Sequence, residues 1–501
     1  MGILIRILKI MAALLTSNVV NLATKLLLPP IFLLRYGTTL YGEWIALSGA
    51  VAYLSTLNFG IQTYVTQDLT VRYQRNELEA YHLQQSTSLR VLLGILGSAA
   101  VVCLVVFLLP VQAWLRLTLS HQATAFALYF LAMQVMLGVL FGYFSGMYMV
   151  LSRAHTGVLW VNGLRLTMVV VTAAGAWMRL TFPILAAFQA AVYLVGILFV
   201  LAHIHRIAPE IFPQIGLFDR SAVRAILRPS GYFGLISMST FLSYEVPVLV
   251  LQREAGPFVV VAFTVMRTIF SMCRQILNAP SQAMAPEITR LFGREEWREL
   301  TVVYSYSERL IFALIPMLNL SVLVLSPVLL ALWLHKPKLF SVPAYLLMAA
   351  ISMTLSAKEH KFQFQFSTNT HERLARIMFF SYIAFAALSI FMVRWQGIYG
   401  LLYTWLAVEL FQLVRLIGLN QDLFAHTGDH RLTYVYRLAA LGAAGLVGAG
   451  WIVARTDHDT YRVQFAAALG ISAILAIVAF QLFNMRTIVQ KLSGRLVQRL
   501  D

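Results

Sequence analysis

The chain has 501 residues, of which 59% are hydrophobic and only 12% charged. Soluble globular domains carry about 25% charged residues, so a large soluble domain is excluded and an all-α polytopic membrane protein is expected. The net charge of +17 does not point to nucleic acid, because the basic residues sit mostly in short loops between apolar runs.

At roughly 20 residues per span, the sequence predicts about fourteen transmembrane helices. The first, 11–34, carries Asn18, Asn21 and Lys25 at spacings of three and four, which puts them on one helix face. The second, 44–64, carries Ser48, Ser55, Asn58 and Gln62. Four more follow at 89–109, 123–150, 157–178 and 183–204. The third is close to uniformly apolar and is expected at the periphery.

A polar interval comes next, with Pro209, Pro213, Arg206, Arg220, Arg224 and Arg228. It reads as a cytoplasmic linker, 205–229, with an interfacial helix over 218–227. Span 7, 230–252, carries Ser237, Thr240, Ser243, Tyr244 and Glu245. Span 8, 257–280, carries a second stripe: Thr264, Arg267, Ser271, Arg274 and Asn278. Spans 9 to 14 are expected at 307–333, 342–358, 374–393, 398–420, 435–454 and 463–484, with Pro316 and Pro327 breaking the ninth. His203 and His205, at the end of span 6, read as interfacial residues, as do His360 and His371 in an internal loop. The tail, 486–500, has the pattern of a basic amphipathic helix lying on an anionic leaflet.

Assigning Lys and Arg by alternation gathers most of them on the N-terminal side, so both termini are expected in the cytoplasm. No connection on the opposite side exceeds about a dozen residues, which argues against a membrane polymerase or ligase that needs a large outer catalytic loop. Six spans precede the linker, and six is even, so the second half enters from the same side as the first. The expected organisation is an N-terminal six-helix bundle (1–204), the linker (205–229), a C-terminal six-helix bundle (230–420), and two additional helices with the basic tail (421–501).

Cys103 and Cys273 both fall inside predicted spans. There is no Cys/His cluster at metal spacing and no P-loop, so no metal, cofactor or intrinsic ATPase is expected.

Charges inside membrane helices are costly and mark function or pairing. Those read within the spans are Lys25, Arg165, Arg267, Arg274, Glu245 and Glu409. Either each base finds a carboxylate, with Glu245 opposite Lys25 or Arg267 and Glu409 opposite Arg165, or the surplus of bases faces a wet cavity that receives an anion. Spans 1, 2, 7 and 8 hold most of the intramembrane polar residues and are expected to line that cavity. Pro29, Pro30 and Pro247 are either bending points or static kinks.

The stretch YGEWIALSGAVAYLSTLNFGI (41–61) resembles the second span of bacterial polysaccharide exporters, the Wzx-type O-antigen flippases of the multidrug/oligosaccharidyl-lipid/polysaccharide (MOP) superfamily. Tyr41, Gly42 and Trp44 fit its Tyr-Gly-x-Trp start, and Asn58 stands where the family usually has Asp. PSQAMAPEITRLFGREEWREL (280–300) is similar to the family's segment after span 8. The resemblance implies two six-helix bundles facing each other in a V. It also implies flipping of an undecaprenyl-diphosphate-linked glycan from the cytoplasmic to the periplasmic leaflet of a bacterial inner membrane. Basic cavity residues of such flippases are thought to hold the pyrophosphate. Carried over by span and facing, the expected substrate site is Asn18, Asn21, Lys25, Asn58, Glu245, Arg267, Ser271 and Arg274. Membrane lipid is an expected partner, as is polysaccharide polymerase or ligase machinery. The competing function within the superfamily is a cation-coupled small-molecule exporter, which would favour acidic cavity residues.

Overall fold

The computed structural model describes residues 16–483, apart from 18–19, 21–22, 59–60, 152, 220–222, 224–234, 285–287, 289–290, 293–294, 369, 371, 426–432 and 456–460. The tail predicted as an amphipathic helix, most of the predicted 218–227 helix and His371 lie outside the described residues. What is described is 90% helical, with no strand. This is a polytopic all-α membrane protein.

The chain divides into two compact units, 1–261 and 262–501. In the first, α1 (23–35) is followed by α2 (Gly37–Val51), α3 (Ile61–Gln74), α4 (Leu78–Cys103), α5 (His121–Val150), α6 (Ala154–Trp177) and α7 (Phe182–Ile207). Then come α8 (235–244) and α9 (Val246–Glu254). Helix α10 (Pro257–Ala283) crosses into the second unit, which continues with α11 (Trp297–Leu329), α12 (Val342–Ser367), α13 (Glu372–Gln396) and α14 (Ile398–Leu423). It ends with α15 (Thr433–Arg455) and α16 (Tyr461–Leu482).

Among the described residues, eleven helices are long and apolar enough to cross a membrane. The expected fourteen included three segments outside that set. The first run lies partly outside the described residues. The second is split: α2 passes into a 3-10 turn (Ala52–Asn58) and resumes as α3. The tenth, α12, carries Lys358, Glu359 and Lys361 within its last turns, which lowers its hydropathy.

Helix α11 corrects the expectation that Pro316 and Pro327 break span 9. It runs from Trp297 through both prolines and ends in a π turn, Leu330–Leu334. Both prolines are buried against neighbouring helices. Close helix packing tolerates the missing N–H groups in such segments, and the π turn follows the second proline.

The linker begins as an ordered strap rather than a solvated loop. After α7 a single 3-10 turn, Pro209–Ile211, leads to an extended segment laid on α4. Gln84 to Ser88 on α4 are all buried, and their side chains satisfy the strap's backbone. Gln85 Nε2 donates to the Ile211 carbonyl at 3.0 Å, and its Oε1 accepts from Gln214 N at 3.3 Å. Ser86 Oγ donates to the Leu217 carbonyl at 2.6 Å and accepts from Leu217 N at 3.0 Å. Thr87 Oγ1 accepts from Asp219 N at 3.0 Å. An irregular backbone can be buried only if its polar groups are met in this way.

Candidate functional site

In the first unit, the helix that begins at residue 235 is interrupted at Glu245, where α9 starts. Pro247 occupies the opening turn of α9, where its missing N–H is harmless and its fixed φ suits a helix start. The Glu245 carboxylate does not cap α9. It lies instead against α2, 3.0 Å from where a Cβ on Gly49 would stand. Gly49 therefore makes room for the carboxylate. Gly42, two turns earlier on α2, abuts the backbone of Pro257, where a Cβ would clash.

Beside this contact lies a cleft of about 460 Å³. Ala52 and Ser55 line it from the 3-10 turn that follows α2, and Ser237, Thr240, Phe241, Tyr244 and Glu245 from the interrupted helix. Thr240 Oγ1 donates to the Ile236 carbonyl at 3.0 Å and Ser55 Oγ to the Ala52 carbonyl at 2.7 Å. With their protons spent on their own helices, these hydroxyls present lone pairs. The cleft is half-open, its wall is more apolar than polar, and it carries these hydroxyls and one carboxylate.

The other predicted site residues are distributed as follows. Asn18 and Asn21 lie outside the described residues. Asn58 ends the 3-10 turn, and its side chain is likewise outside them. Lys25 is half-buried on α1. In the second unit the whole predicted stripe of α10 (Thr264, Arg267, Ser271, Arg274 and Asn278) is half-buried, flanked by the fully buried Val265, Met266, Ile269, Phe270 and Cys273. Arg267 lies over the Phe263 ring at 5.2 Å, and Ser271 Oγ donates to the Thr268 carbonyl at 2.8 Å. Arg274 is 3.5 Å from Glu359 of α12. Ser55, Ser237, Thr240, Tyr244 and Glu245 thus share one cleft. Lys25 belongs to the first unit, and the arginine stripe to the second.

Glu409 corrects the suggested pairing with Arg165. Its partner is Lys358 of α12, which was read as a span end. The Lys358 ammonium donates to Glu409 Oε2, to Tyr382 OH at 2.8 Å and to Gln412 Oε1 at 2.8 Å. Glu409 Oε1 accepts from Tyr382 OH at 2.6 Å and Trp405 Nε1 at 3.0 Å. All three ammonium protons are used, and three helices are tied together. One turn on, Lys361 donates to Glu308 Oε1 at 2.5 Å and Tyr304 OH at 2.6 Å, both on α11. His360, expected in a loop, is 1% exposed and bonds Ser307 Oγ at 2.9 Å. Helix α12 continues to Ser367 because each of these polar groups meets a partner from another helix.

Sequence reasoning also passed over Glu43, the x of the Tyr-Gly-x-Trp stretch. It is fully buried, and its Oε1 accepts from Thr118 N at 2.6 Å. The signal available was a carboxylate inside an aromatic, apolar stretch. Glu308, Glu359, Arg309, Lys358 and Lys361 are further helix charges that the sequence reading left out of the candidate set.

No protein-family model and no curated protein matches the sequence. Solved structures do match its fold. The lipid II flippase MurJ, in an inward closed conformation, aligns with a TM-score of 0.68 at 10% identity, over 94% of this chain and 98% of that one. An inward-facing multidrug resistance MATE family transporter of the MOP superfamily aligns at 0.64 and 12% identity, over 82% of this chain and 96% of its own. The MATE multidrug transporter DinF-BH, in complex with R6G, aligns at 0.57 and 12% identity, over 83% and 96%. The fold is that of MOP-superfamily transporters. At these identities the likeness is one of fold, and it is to transporters rather than enzymes.

Proposed function

We propose that the chain is a flippase for an undecaprenyl-diphosphate-linked oligosaccharide, working by alternating access in a bacterial inner membrane with both termini in the cytoplasm. The observation that carries this reading is the full-length fold likeness to a lipid II flippase, joined to a surplus of intramembrane cations. Lys25 and Arg267 supply positive charge for a diphosphate. The cleft lined by Ser55, Ser237, Thr240 and Tyr244 offers lone pairs that sugar hydroxyls bond. A cation near mid-membrane lowers the cost of bringing an anion there, while the polyprenyl tail remains in lipid. Net direction comes from a gradient or the membrane potential, because binding alone shifts only populations.

Glu245 favours a second reading, a cation-coupled small-molecule exporter. A carboxylate in a membrane cleft with a largely apolar wall suits an organic cation or coupling ion better than a diphosphate. The two readings separate in one strain set. Under the flippase reading, Lys25→Ala and Arg267→Ala each reduce surface glycan at normal protein levels in the membrane, and Glu245→Gln leaves drug susceptibility unchanged. If both cation variants export glycan at the parent level while Glu245→Gln alters drug susceptibility, the exporter reading replaces the first.

A further inference from the structure

At one end of the α13–α14 pair, on the second unit, a separate cleft of about 530 Å³ opens between the start of α13 and the last turns of α14. Arg373, Arg376 and Ile377 line it from α13. Arg415, Gly418 and Asp422 lie along the facing stripe of α14. All three arginines are exposed. Among the described residues none of their guanidinium groups, nor the Asp422 carboxylate, has a hydrogen bond or ion pair. Three like charges share the space with one acid, so the cleft repels itself until an anion enters. Arg373 and Arg376 also sit at the positive end of the α13 dipole, where basic residues are disfavoured and an anion is favoured.

The surface one turn deeper identifies the ligand class. Phe380 follows Arg376 by four residues and is 66% exposed. Phe411 precedes Arg415 by four and is 53% exposed, and Val414 is 66% exposed. Both helices are candidate membrane spans, so these apolar side chains face acyl chains where the arginines reach the interface. An apolar wall ending in a cationic cleft matches a phospholipid, with its chains along Phe380, Val414 and Phe411 and its phosphate between the guanidiniums.

We propose that this cleft is a binding site for the phosphate headgroup of an anionic phospholipid, distinct from the transport cleft and independent of the transported substrate. The test uses the purified full-length protein in detergent micelles holding equal amounts of phosphatidylglycerol and phosphatidylcholine, with retained lipid counted by native mass spectrometry. Phosphatidylglycerol is expected to be retained preferentially. Its retention falls about fivefold for each arginine changed in Arg373→Gln and Arg376→Gln, the weight of one basic residue at an anionic surface. A second variant leaves charge untouched. A Cβ on Gly418 meets nothing within 4 Å, so Gly418→Leu fills the cleft without a clash and is expected to expel the lipid. Millimolar inorganic pyrophosphate leaves retention unchanged. Equal retention of both lipids, or parent-level retention by the arginine and Gly418 variants, overturns the proposal. Displacement of the lipid by pyrophosphate also overturns it, by making this a site for soluble anions.

Discussion

The strap on α4 and the charge cluster of α12 solve the same problem with different chemistry. Each buries polar groups that water would otherwise satisfy. The strap uses neutral amides and hydroxyls, Gln85, Ser86 and Thr87, to meet backbone groups of 211–219 one by one. The cluster uses full charges, Lys358 with Glu409 and Lys361 with Glu308, each backed by tyrosine. Losing one neutral partner strands a dipole, which is a local cost. Losing one charged partner strands an ion inside the helix bundle, which is a global one.

The largest expected effect is therefore at Glu409. Glu409→Ala leaves Lys358 buried without its counter-charge and costs about 3–5 kcal/mol, read as a lowered melting temperature of the purified protein. Lys358→Met combined with Glu409→Leu should recover most of that loss, since apolar replacement of a whole buried pair is often neutral. A double variant as unstable as the single one would mean that the tyrosine, tryptophan and glutamine bonds matter more than the charges.

Gln85→Ala comes next. It removes the donor to Ile211 and the acceptor for Gln214, at about 1–3 kcal/mol, and its effect should be confined to faster protease cleavage within 209–219. Ser86→Ala removes a single hydroxyl that serves both polar groups of Leu217 and should cost about 1 kcal/mol, seen as faster amide exchange at Leu217. The smallest effect belongs to Arg274→Ala. Its pair with Glu359 is part-exposed and 3.5 Å long, and such pairs contribute about 1 kcal/mol or less. Glycan export is then the readout that separates a structural role for Arg274 from a substrate-binding one.

Most of the fold was legible as apolar runs, because a span must be long and apolar wherever it sits. The failures have physical causes. IQTYVTQDLTVRYQ (61–74) has too many polar residues to read as a helix that continues a span, yet α3 forms by packing against α5 and α4. Glu359-His360-Lys361, just past the expected span end at Lys358, reads as loop because charged and polar residues in a row signal water. Here each meets a partner 50 or more residues away or on another helix, which a period of 3.6 cannot reveal. For the candidate site, the polar faces of spans 2 and 7 could be read from spacing alone. Their meeting depends on Gly49, whose missing side chain carries no pattern of its own.

The strap also limits how far its neighbours can travel. With the chain fastened to α4 as far as Asp219, only residues 220–234 separate that anchor from α8. Even pulled straight they span at most about 54 Å, at roughly 3.3–3.6 Å per residue. The leash between α7 and α8 is thus set by the hydroxyl of Thr87 rather than by the length of the interhelical sequence, and cutting that fastening would lengthen it without adding a residue.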